Sequence, residues 1–142
     1  MSNKFIVGYD GSDASKRALE YAKQRAEVAG SHLVVAYVMD WSPYSFLTPE
    51  ELETRHARRK EEIERANTAV IEPVMESLKG ISSESVVRYG DIAETMVSLA
   101  KEHDAVAIIV GRQGHTGIAQ RIFGSTASKL AQISTVPCTI VP

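Results

Sequence analysis

Cysteine is almost missing: Cys138 is the only one in 142 residues. That excludes an internal disulfide framework and a thiolate metal cluster, and it fits a reducing compartment. No apolar run approaches the roughly 20 residues that a membrane-spanning helix needs. The opening Met1-Ser2-Asn3-Lys4 moves into an apolar stretch too short for the core of a signal peptide. Charge of one sign is not in excess either. The net charge is −2 and the isoelectric point about 6.1, which implies no broad attraction to nucleic acid or to an anionic membrane. The expectation is a cytoplasmic protein with no nucleic-acid partner and no membrane insertion. Catalytic signatures are missing too. There is no Gly-x4-Gly-Lys-Ser/Thr loop, no kinase-like His-Arg-Asp run, no Gly-x-Ser-x-Gly elbow and no His-Glu-x-x-His pair. Efficient phosphoryl transfer needs positioned cations and a group that orients the nucleophile, so none is expected and no residue is assigned a catalytic role.

What is present is an ordinary globular composition, 44% hydrophobic and 24% charged, on a chain long enough to bury a core without metal or disulfide staples. Short Val- and Ile-rich runs stand at residues 5–7, 33–39 and 105–110, and continuous apolar runs of this kind suit strands buried on both faces of a parallel sheet. Residues 85–89 alternate more and predict an edge strand. Residues 138–141, bracketed by Pro137 and Pro142, predict another edge or a special pairing.

Helical patterns separate the strands. The first has Ala18, Leu19, Ala22, Ala26 and Ala29 on one face, Ser12 as N-cap and Gly30 as stop. The second opens on Thr48-Pro49-Glu50-Glu51, a capping box with proline at the first helical position, and is expected to run to about Lys79 with a kink at Pro73. A third begins at Asp91 with Ile92, Met96, Leu99 and Ala100 on one face, and a fourth spans about residues 124–134. The β-α-β-α-β-α-β-α-β order predicts an α/β fold, an open parallel five-stranded sheet with helices on both faces and right-handed crossovers.

Such sheets bind ligands at the carboxyl ends of their strands, where the strand order reverses. The first strand ends at Gly8-Tyr9-Asp10-Gly11-Ser12 and the fourth at Gly111-Arg112-Gln113-Gly114, and the two ends are expected to be neighbours. The segment from Gly111 to Ser125 is rich in glycine, which lets a ligand approach the main chain and exposes N–H groups that can cradle phosphate. Ser125 and Thr126 at the next helix start add free N–H groups and hydroxyls; Arg112 is a candidate further donor, and His115 reads equally as a phosphate donor or as an exposed loop histidine. The plainer readings are that Gly111 and Gly114 form only a turn and that Ser125 only caps its helix.

At this loop the sequence resembles the universal stress protein family. Gly111, Gly114, Gly124 and Ser125 meet the pattern Gly-x2-Gly-x9-Gly-Ser, the signature of its ATP-binding branch. Asp10-Gly11-Ser12, Gly90-Asp91-Ile92-Ala93-Glu94 and the closing Val136-Pro137-Cys138-Thr139-Ile140-Val141 are similar to that family as well. The resemblance covers the chain and implies a single domain over residues 1–142. It also implies the strand order 3-2-1-4-5 of Rossmann-like, adenine nucleotide alpha hydrolase-like folds. It implies ATP as ligand, with Mg²⁺ at a bridged phosphate, in a nucleotide-responsive regulatory module that hydrolyses ATP at most slowly.

By the same resemblance Gly8 and Tyr9 border the pocket, Asp10 meets the adenosine portion or a metal-bridged phosphate, and Val38 packs against adenine. Gly111, Arg112, Gln113, Gly114, His115, Thr116 and Gly117 wrap ribose and phosphates. Gly124, Ser125, Thr126 and Ala127 hold the phosphate tail. Members often carry a small residue where Arg112 stands and a basic one where Gln113 stands, so the contacts implied there are those of the backbone. The resemblance further implies a homodimer through the final strand, from Cys138 to Val141, and a regulatory protein partner that the sequence does not name. The alternative is a nucleotide-free adaptor whose glycines serve only the fold.

Other residues read in two ways. Asp10 is either a metal or ribose ligand or the cap of the first helix. His32, His56 and His103 have no ligand spacing and read as surface residues. In residues 55–65, Arg58 with Glu62 and Glu61 with Arg65 stand at i, i+4 spacing, the mark of a solvated helix face. Cys138 reads as a buried strand residue. Trp41, Tyr44 and Phe46 either line the adenine side or a partner surface, or cover the sheet edge. A phosphoaspartate receiver is rejected because its lysine after the fifth strand is missing. A dinucleotide carrier is rejected because the first turn is not Gly-x-Gly-x-x-Gly.

Overall fold

A computed structural model of the chain describes residues 3–40, 48–112 and 125–142. Its described strands are β1 (Lys4–Gly8), β2 (His32–Asp40), β3 (Ser83–Gly90), β4 (Ala107–Gly111) and β5 (Cys138–Val141). They form one sheet in the order β3-β2-β1-β4-β5, with every neighbouring pair parallel. The helices are α1 (Asp13–Ala29), α2 (Pro49–Ala66), α3 (Glu72–Ser77), α4 (Ile92–Glu102) and α5 (Ser125–Ile133), with a π turn at Asn67–Ile71 between α2 and α3. The topology is the doubly wound one expected, with β3 and β5 at its edges.

Strand alternation divides the core into two layers. Ile6, Val34, Ala36, Val38, Ile108 and Val110 pack with α4 and Leu130 of α5. Val7, Tyr9, Leu33, Val35 and Ile109 point the other way, to α1, Ile71 and Val74. Because both faces are covered, the central strands are apolar at nearly every position.

The caps follow the local chemistry. Ser12 accepts from the Ser15 N–H at the start of α1, and Gly30 closes that helix at φ 66°, in the left-handed region that glycine adopts without strain. The capping box of Thr48 and Glu51 is present with Pro49 in the first turn. Asp91 caps α4 through the Glu94 N–H. Proline 73 does not simply kink one long helix. It lacks an N–H, and its ring conflicts with the carbonyl four residues earlier. The Glu72 N–H reaches back five residues to the Asn67 carbonyl, so the chain absorbs the disturbance as a π turn just before the proline.

Candidate functional site

The chain runs from β1 outward to β2 and β3, then returns to place β4 on the other side of β1. The strand order therefore reverses between β1 and β4. Their register sets Val7 beside Ile109, so the two chain segments leave the sheet side by side, as the sequence predicts. β2 reaches further, pairing with β3 as far as Asp40 and Gly90 after β1 has ended at Gly8 beside Ala36. This is the crevice geometry of an open α/β sheet.

Asp10 sits at the head of the turn after β1. Its Oδ1 accepts from the Ser12 N–H at 2.9 Å, and Ser15 Oγ accepts from the Asp10 N–H at 3.3 Å. The aspartate thus shapes the turn, and Ser12, not Asp10, caps α1. Tyr9 is 8% exposed, with its ring in the layer of α1 and α3. Burial lifts its phenol pKa above the ordinary value and the Asp10 carboxylate adds to the shift, so the hydroxyl stays a proton donor. Gly8 faces the opposite layer, where an added Cβ would lie 2.5 Å from the Met96 Cε. Val38 is 7% exposed in that same layer beneath α4, two residues before β2 ends at Asp40.

Gly111 closes β4. A Cβ there would lie 2.7 Å from the Ala14 carbonyl carbon and 2.8 Å from its Cβ. The missing side chain lets β4 and α1 approach closely, a packing need that the sequence alone does not separate from a ligand's. Arg112 is exposed, and its N–H donates to the Val141 carbonyl at 2.8 Å. Ser125, Thr126 and Ala127 open α5, with Ser125 exposed and Ala127 buried. An α-helix leaves its first N–H groups without intrahelical partners, and together with the two hydroxyls they form a donor set suited to phosphate oxygens. The donors present therefore fit a nucleotide's anionic tail. Gln113, Gly114, His115, Thr116, Gly117 and Gly124 lie outside the described residues, as do Trp41, Tyr44 and Phe46.

Lys129 was not singled out by sequence. Its Nζ lies 3.0 Å from Asp91 Oδ1 and 3.6 Å from Glu94 Oε1, tying α5 to the start of α4. The Glu94 N–H and the Lys129 ammonium hold the Asp91 carboxyl below its usual range. An i, i+3 cap residue in one helix and a lysine in the next carry no shared periodicity, so only the fold reveals the link.

Two histidine readings need correction. His32 and His103 are not plain surface residues: their side chains are 24% and 18% exposed and converge on Glu84 at the amino ends of the strands. His32 Nε2 lies 2.8 Å from Glu84 Oε2 with Nδ1 2.7 Å from Ser82 Oγ, and His103 Nδ1 lies 3.6 Å from Glu84 Oε1. The β2–β3 register, Leu33 beside Ser83, brings His32 to Glu84, and His103 reaches it from the end of α4, across sequence gaps that spacing rules do not see. His56 is exposed as expected. On α2, Arg58, Glu61, Glu62 and Arg65 are exposed, and neither expected pair closes to an ion pair. Arg59 lies instead with its guanidinium carbon 5.4 Å from the Tyr89 ring centroid. Cys138 is partly, not fully, buried. No helix among the described residues is long and apolar enough to cross a membrane, and no group of three or more His, Cys, Asp or Glu there could hold a metal ion.

The model of the universal stress protein family matches residues 1–142. Universal stress protein YxiE of Bacillus subtilis is 32% identical over 152 residues, covering 99% of each chain. The universal stress protein UspA from Lactobacillus plantarum superposes with a TM-score of 0.84 at 20% identity, over 100% of this chain and 99% of that one. A universal stress protein in complex with cAMP superposes with a TM-score of 0.65 at 25% identity, over 99% and 97%.

Proposed function

The chain belongs to the universal stress protein family, and from that premise we propose that it binds ATP in the β1–β4 crevice as a cytoplasmic, nucleotide-responsive regulatory module. One observation carries this reading. The turn at Asp10, the end of β4 at Gly111 and the start of α5 at Ser125 all stand at the carboxyl edge of the sheet, where its strand order reverses. Support also comes from the related protein whose structure holds cAMP. In this reading main-chain groups at Gly8, Tyr9 and Val38 border the base and ribose. The residues from Gly111 to Gly117 wrap ribose and phosphates, with the Arg112 N–H committed to Val141 instead, and Gly124, Ser125, Thr126 and Ala127 receive the phosphate tail. Asp10 faces the ribose or an Mg²⁺ that the nucleotide carries. With no general base or cation assigned, hydrolysis is at most slow.

The proposal extends to one domain over residues 1–142 and to a homodimer through β5, whose outer edge is unpaired among the described strands. A regulatory protein partner would read the nucleotide state. The test is isothermal titration of ATP, AMP and cAMP, with and without Mg²⁺, into wild type and Ser125→Asp. A carboxylate in the first turn favours the helix but repels phosphate. Binding that is lost in the variant, with unchanged circular dichroism, supports the reading. Wild type that binds no nucleotide overturns it in favour of the nucleotide-free adaptor.

A further inference from the structure

On the sheet face opposite α4 and α5, a cleft of about 460 Å³ opens between α1 and the wall formed by the π turn and α3. That volume lies in the range of small-molecule sites. The floor is apolar, built by Leu19, Val70, Val74 and Leu78. Tyr9 lines it, 8% exposed, and its hydroxyl makes no hydrogen bond to a described residue. A phenolic O–H on the wall of a cleft can donate to an acceptor on a ligand that enters it. Burial and the neighbouring Asp10 keep that hydroxyl protonated.

Charge is distributed unevenly around the opening. Lys16, Glu20 and Lys23 line the α1 side at i, i+4 and i+7, and none of them forms an ion pair with a described residue. The facing wall from the π turn and α3 presents Ala69, Val70, Pro73 and Ser77 and no charge. Asp10, next to Tyr9, has its Oδ1 engaged by the Ser12 N–H. The lining thus carries Lys16 and Lys23 against Glu20, above an apolar floor and a phenolic donor on which the Asp10 carboxylate also acts. The π turn contributes Ala69 and Val70 directly to the wall, and its cause, Pro73, lines the same space.

We propose that this cleft is a second ligand site, which takes a small amphipathic carboxylate. The apolar body lies on the floor between Leu19 and Val74, and the carboxylate accepts from the Tyr9 hydroxyl beside the Lys16 ammonium. The site uses none of the residues from Gly111 to Ser125; it shares Tyr9 with the proposed nucleotide crevice, through the side chain here and the main chain there.

The experiment is isothermal titration of octanoate, with octanamide as its neutral isostere, into wild type, Tyr9→Phe, Lys16→Gln and Val70→Trp. Wild type is expected to bind octanoate about tenfold more tightly than octanamide, since a charged acceptor roughly doubles the strength of its hydrogen bonds. Tyr9→Phe and Lys16→Gln each weaken octanoate about fivefold, and Val70→Trp, which fills the cleft, abolishes it. ATP titrated into Lys16→Gln and Val70→Trp reads the crevice separately. If Val70→Trp does not fold, Ser77→Trp at the exposed rim replaces it. No saturable octanoate binding, equal affinity for octanamide, or full affinity in both Tyr9→Phe and the tryptophan variant overturns the proposal.

Discussion

Gly111 lacks a side chain for a reason that lies in α1. Its missing Cβ leaves room for the Ala14 backbone, which cannot give way as a flexible side chain can. Gly111→Ala is therefore expected to destabilise the fold by about 1–3 kcal/mol, the usual cost of forced overpacking, measured by urea denaturation. Gly8→Ala meets the mobile end of Met96 and is expected to cost less. Glu84 is a different case. The His32 hydrogen bond, with charge from His103 and Lys4, holds its folded-state pKa below the ordinary value against the opposing effect of burial. A depressed carboxylate pKa contributes stability that is complete above the ordinary value and is lost as pH falls through the lowered one. Glu84→Gln should thus lower the melting temperature near neutral pH, with the gap closing as pH falls through the lowered value. A gap that widens in acid contradicts this. The placement of Asp10 and Gly111 at neighbouring strand ends was legible from the order of elements, whereas the packing of Gly111 against Ala14 was not. The histidine cluster was not legible either, because His32 and Glu84 meet through sheet register and His103 joins them from the end of α4.

At the scale of elements, caps were the most legible feature. Ser12, Thr48 and Asp91 each stand where a polar side chain can reach an N–H three residues on, a relation written locally in sequence. Asp91→Ala removes both the α4 cap and the nearer partner of Lys129. It should cost about 1 kcal/mol and loosen α5 against α4. If the start of α5 holds phosphate, ATP affinity falls in Asp91→Ala, which titration reads directly. Pro73 marked a disturbance of the second helix, yet sequence could not say how the backbone would absorb it. A kink and a π turn relieve the same clash, and packing of Ile71 and Val74 onto the sheet favours the second.

For the molecule as a whole, period and order of elements were enough for the α/β class and for edge positions at β3 and β5. The cleft beside α1 left no trace in sequence, because its walls come from two stretches far apart in the chain, residues 9–23 and 69–78. At the β5 edge, the Pro137 and Val141 carbonyls accept from Ile108 and Arg112 of β4 and its exit. Backbone groups alternate sides along a strand, so Cys138 and Ile140 turn theirs outward. Ile140→Pro removes an outward N–H, whereas Ile140→Val keeps it. Light scattering is expected to give twice the 15.5 kDa chain mass for wild type and Ile140→Val, and a monomer for Ile140→Pro. A folded Ile140→Pro dimer contradicts pairing through this edge.

The most direct test of nucleotide binding in the crevice is a backbone amide NMR titration with ATP. Chemical-shift changes should concentrate at residues 8–12, 111–112 and 125–127, with His32, Glu84 and His103 at the far end of the strands unmoved. Shifts that concentrate at that far end, or no shifts at saturating ATP, would contradict a nucleotide site at the carboxyl edge of the sheet.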